Sequence, residues 1–322
     1  MSKLSRRAFA AMLVALLPAA AMAQAWPARQ VRIVCPFPAG GATDVVSRLL
    51  AQKLQEAWGQ TVIVENRSGA GGNIGADVVA KSAPDGYTLL MTSGSIVTAN
   101  PYMYKSMTFD PARDLVPITN VASGPQVIAV SANMPAKDLK EFIAYAKANP
   151  GKVNFGSAGV GTQTHLAAEN FAYTAGIEMT HVPYKGESLA LADLMGGSVQ
   201  MVTPNLSAAV ALIQQGKVRA LAVTSRERNP TLPDVPSASE ALPGFENMGW
   251  FGLMAPTGTP REVIDKVQRD SAKILLSDEF KEKLAKQGMV PVANTPSEFA
   301  TAIREESARW QKVIRERHLT AG

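Results

Sequence analysis

The stretch Val31 to Val46, VRIVCPFPAGGATDVV, leaves this chain few ways to fold. Val31, Ile33 and Cys35 alternate with Arg32 and Val34 as in a strand, and Pro36 to Gly41 can continue no regular element. Thr43 and Asp44 are suited to cap a helix, and Val46, Leu50, Leu54 and Trp58 then recur every four positions along one helical face. A strand that turns through small residues into a helix leaves the first N–H groups of that helix unpaired, directed at whatever lies above the sheet. Such a terminus attracts anions. Val153 to Glu169, VNFGSAGVGTQTHLAAE, repeats the arrangement. Both turns contain an Ala-Gly step, a further Gly and a Thr at the helix start, and neither carries a basic side chain. Two such half-sites facing each other would make a clamp.

The rest of the chain surrounds these turns with alternating elements. Thr61–Glu65, a Gly-rich loop at Asn66–Gly75, a helix over Ala76–Lys81 and a strand over Tyr87–Met91 continue a parallel α/β pattern, whose strand ends at Thr92–Ser95 should line the same crevice as the first turn. Leu115 to Ser131 is extended and apolar, with an interruption at Ser123-Gly124-Pro125 that suits a crossing between domains. A helix over Lys137–Ala148 follows, then strands near Val153, Met179–Val182, Val199–Val202 and Val218–Thr224 with helices between them. A Pro-rich polar stretch from Arg226 to Gly249 allows a short helix near Ala238, and Trp250–Ala255 carries the chain back. Thr259-Pro260-Arg261-Glu262 and Thr295-Pro296-Ser297-Glu298 both predict a Thr cap, Pro at the first helical position and a capping-box Glu, and Asp278–Lys286 predicts a helix between them. The resulting division is 1–23 as an export signal, 24–123 and 250–322 as one domain, and 124–249 as a second.

The export signal rests on Lys3, Arg6 and Arg7 preceding an apolar run, Ala8–Ala20, that is too short to span a bilayer. Ala21-Met22-Ala23 gives a small-x-small cleavage pattern before Gln24, and Ser5-Arg6-Arg7-Ala8-Phe9 leaves both the twin-arginine route and the ordinary one open. The mature chain would have about 300 residues and lie in the periplasm. Its one cysteine, Cys35, permits no intrachain disulfide and reads as a buried strand residue. A net charge of +5 without basic runs interleaved with aromatics argues against nucleic acid.

Catalytic patterns fail in turn. Phe155 stands where a nucleophile elbow at Ser157 needs Gly, the glycines at 69–75 have the wrong spacing for a dinucleotide fingerprint, and no Gly-rich loop ends in Gly-Lys-Ser/Thr. Three histidines and one cysteine form no metal-ligand spacing, so neither a metal nor a cofactor is expected. His165, just inside the second helix, is the one candidate for acid–base work, against a simpler role in bonding the turn. Tyr184-Lys185-Gly186 follows a strand end and would overhang the crevice.

Five motifs occur in order: Pro36-Phe37-Pro38-Ala39-Gly40-Gly41-Ala42-Thr43-Asp44; Pro84-Asp85-Gly86-Tyr87-Thr88-Leu89; Gly156-Ser157-Ala158-Gly159 with Gly161-Thr162 and His165-Leu166; Val182-Pro183-Tyr184-Lys185-Gly186; and Trp250-Phe251-Gly252-Leu253. Together they closely resemble the Bug receptors, the extracytoplasmic solute-binding proteins of tripartite tricarboxylate transporters. The resemblance implies a type II periplasmic-binding-protein fold, two α/β domains joined by two crossing strands, with a small organic carboxylate held in the cleft. It also implies large and small membrane subunits as partners, and a monomeric receptor. Carried over residue by residue, the grip falls on Phe37, Ala39, Gly40, Gly41, Thr43 and Asp44 from one side and on Ser157, Gly161, Thr162 and His165 from the other. Ser95, Tyr184 and Asn205 complete the candidate set. The chain departs from the family pattern at Glu187-Ser188-Leu189, where small residues and proline are common, and before Asn205, where an acidic residue is common. A ligand sensor for a membrane signalling partner and an exported enzyme using His165 are the competing readings.

Overall fold

A computed structural model describes residues 26–321, so the export signal predicted at 1–23 lies outside the described residues. β1 (Val31–Cys35), α1 (Ala42–Trp58), β2 (Val62–Asn66), α2 (Asn73–Ala80) and β3 (Thr88–Ser93) come first. Three short helices, α3 (Gly94–Thr98), α4 (Asn100–Met103) and α5 (Pro111–Asp114), lead into β4 (Leu115–Pro125). The middle of the chain is β5 (Val127–Ser131), α6 (Leu139–Ala148), β6 (Asn154–Ser157), α7 (Gln163–Ala175), β7 (Thr180–Pro183), α8 (Glu187–Gly196), β8 (Met201–Val202), α9 (Leu206–Gln214) and β9 (Val218–Val223). β10 (Met248–Pro256), α10 (Arg261–Leu275), α11 (Asp278–Ala285), β11 (Val290–Pro291) and α12 (Pro296–Glu316) return to the starting domain.

The strands form two sheets, one ordered β11-β4-β10-β3-β1-β2 and the other β7-β6-β8-β5-β9. In the first sheet β1 pairs parallel with both β2 and β3, and in the second β6 pairs parallel with β7 and β8. β1 is an inner strand covered on both faces, which is why Val34 is as fully buried as Val31 and Ile33 despite the alternation in the sequence. Val31 and Ile33 pack with Val46, Leu50 and Leu54 of α1, whereas Val34 packs with Phe37, Ala76 and Trp250 on the opposite side. Burying each of those large apolar side chains contributes about 1.5–3 kcal/mol, and this anchors α1 so that its start overlies the end of β1. Phe142, Phe155 and Phe171 centre the core of the second domain. This is the two-domain α/β fold that the resemblance implied.

Several local expectations need correction. β4 runs without interruption through Ser123-Gly124-Pro125, pairing with β10, and the break between sheets falls at Gln126. Gly124 is there because Met289 packs on it, leaving only 2.8 Å between a Cβ at that position and Met289 Cγ. Pro125 ends the strand, where its missing N–H does no harm. Thr295 and Glu298 form the predicted capping box on α12, but Thr259 does not cap α10. Its hydroxyl donates to Pro256 O at 2.8 Å, and Pro260 occupies the cap position without a side-chain acceptor. The helix predicted near Ala238 is a single 3-10 turn, Ala238–Glu240.

Candidate ligand-binding cleft

Helix α1 begins two residues earlier than a cap at Thr43 would place it. Gly41 is the N-cap and offers no side-chain acceptor. Asp44 instead fastens the turn, accepting from Gly40 N at 3.0 Å, Asn66 Nδ2 at 2.9 Å and Arg48 Nε at 2.9 Å. Burial pushes the Asp44 carboxyl up, yet the hydrogen bonds from Arg48, Asn66 and Gly40 outweigh it and hold the group below the ordinary carboxylate value. Gly40 has φ +84°, a left-handed conformation that a side chain would strain. Burial pushes the Cys35 thiol up to about 12, so it remains a protonated core residue.

The second turn is organised by its own side chains. Thr162 caps α7, accepting from His165 N at 3.4 Å, and its hydroxyl donates to Gly159 O at 2.6 Å. Thr164 Oγ1 accepts from Ala158 N at 2.8 Å, Ser157 Oγ from Gly159 N at 3.1 Å and His165 Nδ1 from Gly161 N at 3.2 Å. His165 therefore bonds the turn. His181 stacks on it with ring centroids 4.0 Å apart and lies 2.6 Å from Ser157 Oγ through Nε2. Burial, reinforced by the neighbouring His165, drives the His181 pKa down to about 3.

The two turns face one cavity from different domains. Phe37, Pro38, Gly41, Thr43 and Ser93 line it from the first domain, and Ala158, Thr162, Gln163, Thr164, Glu187 and Asn205 from the second. Its free volume is about 20 Å³, enough for about one water and too little for an organic acid. An outer groove of about 240 Å³ adjoins it at Phe37 and Ala158, bounded by Gly69–Gly72 and Tyr104 on one side and by Tyr184 and Lys185 on the other. Of the predicted residues, Phe37, Gly41, Thr43, Thr162 and Asn205 meet at the cavity and Tyr184 at the groove. Ala39, Gly40, Asp44, Ser95, Ser157, Gly161 and His165 line neither wall, and of these Gly40, Asp44, Ser157, Gly161 and His165 take part in the hydrogen bonds that shape the turns. Ser93 takes the place expected for Ser95, which is buried in α3.

Gln163, absent from the candidate set, and Glu187, noted in the sequence only as a departure from the family pattern, join the domains across this cavity. Gln163, the first residue of α7, donates through Nε2 to Ser93 Oγ at 2.5 Å and to Trp250 O at 2.9 Å, and its Oε1 accepts from Trp250 N at 3.1 Å. Glu187, the first residue of α8, is buried, and its Oε1 accepts from Ala42 N at 2.5 Å. Its Oε2 accepts from Asn205 N at 3.1 Å and Asn205 Nδ2 at 3.0 Å. Burial pushes the Glu187 carboxyl above its ordinary value, against the opposing pull of these donors. The signal for Gln163 was position alone, since it opens a helix directly after a predicted turn; Glu187 shares that position and also departs from the family pattern. Among the described residues, no helix is long and apolar enough to cross a membrane.

A two-domain α/β fold with paired helix termini around an interdomain cavity defines the class of two-domain solute-binding proteins. Residues 46–319 match the family described as the tripartite tricarboxylate transporter family receptor. BugT of Bordetella pertussis is 40% identical, over 91% of this chain and 91% of its own. Rpa4515 of R. palustris, solved with adipate, is 38% identical with a TM-score of 0.88, covering 90% of this chain and 97% of that one. MatC (Rpa3494) from Rhodopseudomonas palustris, solved with bound malate, is 32% identical with a TM-score of 0.85, covering 90% and 100%. This chain belongs to the tripartite tricarboxylate transporter receptor family, as its five motifs implied.

Proposed function

We propose that this protein is a periplasmic, monomeric receptor that encloses a small organic carboxylate between its two turns and delivers it to the large and small membrane subunits of a tripartite tricarboxylate-type transporter. The observation that carries the reading is the pair of helix starts, α1 and α7, converging on one cavity from separate domains. Backbone N–H groups at such termini hold an anion without a cationic partner. The adipate and malate bound to relatives of similar fold support the same ligand class. Gly41, Thr43, Thr162 and Asn205 are the proposed contacts.

A thermal-shift screen of the exported form against carboxylates tests this. A ligand that binds only the folded state, present at ~100 times its dissociation constant, adds about 2.7 kcal/mol of stability. At least one small carboxylate should raise the melting temperature by several degrees, with uncharged analogues of the same size inert. A screen in which no carboxylate stabilises the protein would overturn the reading.

A further inference from the structure

The seat at the start of α1, which the sequence assigns to a solute carboxylate, is held by the chain's own carboxylate. Glu187 Oε1 receives the Ala42 N–H, and a Cβ placed on Gly41 would lie 3.2 Å from the same oxygen. Oε2 receives two more donors from Asn205, the N-cap of α9, so the carboxylate sits between the starts of α1 and α9 while itself opening α8. Both oxygens are engaged by N–H donors, an arrangement that suits the anion. We propose that Glu187 sets the specificity of this cleft, selecting a carboxylate ligand that also carries an ammonium group over a dicarboxylate of the same length. The inference rests on the proposed function and refines its ligand class.

Three observations carry it. The first is charge: Glu187 is the one charged residue among those lining the cavity, and Lys185 lies out on the solvent-exposed rim of the adjoining groove. A dicarboxylate would place two further negative charges beside the buried Glu187, whereas an ammonium opposite it balances the charge. The second is which bonds survive opening. Ala42 belongs to the first domain and Asn205 to the second, so separating the domains breaks the Ala42 contact and leaves Glu187 fixed to Asn205. An arriving ligand then meets bare N–H groups on one wall and a fixed carboxylate on the other, and closing the cleft on it matches an anionic group of the ligand to the first and a donor to the second. The third is capacity: a carboxylate offers about four acceptor positions, and once the Ala42 contact parts only the two filled by Asn205 remain, leaving room for a ligand ammonium.

Calorimetric titration of the exported form with adipate, 6-aminohexanoate and L-2-aminoadipate tests this, since the second probe replaces one carboxylate of adipate by an ammonium and the third adds one. Wild type should bind the better ammonium-bearing probe at least about tenfold more tightly than adipate. In Glu187→Gln and Glu187→Ala that ratio should shrink by at least about tenfold, with adipate gaining affinity. Thermal melts without ligand establish which variants fold, and if the alanine variant does not, the glutamine variant decides. Adipate binding wild type as tightly as both other probes would overturn the proposal, and so would a ratio unchanged in the folded variants. No binding of any of the three probes also overturns it, while the wider carboxylate screen judges the receptor function separately.

Discussion

His181 shows how a single side chain fixes the shape of the second turn and what that costs in acid. Its ring lies between Phe155, at a centroid distance of 4.8 Å, and His165 at 4.0 Å, and it stays neutral in the fold because burial and His165 hold its pKa down to about 3. The unfolded chain takes up that proton near the ordinary value of about 6.5. With the folded value depressed, stability is fully present above the unfolded value and is lost as pH falls from there toward about 3. Between pH 7 and 5 the loss from His181 should be about 1–2 kcal/mol. Urea denaturation across that range should show it, and His181→Asn should flatten the dependence; an equally steep variant would assign the effect elsewhere. Other single residues were less legible. Thr162 was readable as a cap because its bond is local, whereas Glu187 meets Ala42 across 145 positions, and no local pattern announces such a pairing.

At the scale of elements, the start of α1 matters more than its length. Gly41 has φ −82° and ψ 168°, an extended conformation open to any residue, so its smallness is required by the neighbouring domain and not by its own backbone. Gly41→Val should therefore fold, losing about 1–3 kcal/mol of urea stability as its side chain wedges Glu187 away from Ala42. We expect carboxylate affinity to fall at least about tenfold by calorimetry; unchanged affinity would mean that this face does not meet the ligand. The alternation of strands and helices was legible because each long element carries its own period and stop signals. α3, α4 and α5, of four or five residues each, and the two-residue β11 carry no period and take their form from tertiary contacts. The cap at Thr259 was misread for a related reason: the same Thr-Pro-x-Glu spelling as at Thr295 fits two hydrogen-bonding patterns, and the nearby Pro256 carbonyl captures the hydroxyl.

For the whole molecule, closure and binding are one process. A carboxylate gains about 1.5–3 kcal/mol from each charge-assisted hydrogen bond, and micromolar affinity needs about 8 kcal/mol, so donors on one turn are too few. Ligand must then bind most tightly when the domains meet, and its preference for that state drives them together. The closed arrangement is fastened by Gln163 to Ser93 and Trp250, by Glu187 to Ala42, and by the Tyr104 hydroxyl to Val160 O at 2.8 Å. With room inside for about one water, a ligand can enter or leave only after these contacts part.

A disulfide staple across the cleft tests that claim most directly. A Cβ at Gly40 would lie 4.0 Å from Ser188 Cβ, within the ~3.5–4.5 Å span of a disulfide, and the native Cys35 is buried away from it. The left-handed backbone at Gly40 adds a strain of about 1–2 kcal/mol, common to the oxidised and reduced forms. In Gly40→Cys/Ser188→Cys, protein oxidised before a carboxylate is added should take up none, reduction should restore uptake, and ligand bound before oxidation should stay through dialysis. Equal uptake by the oxidised and reduced forms would contradict the account, because the ligand would then be reaching a site that the interdomain cleft does not enclose.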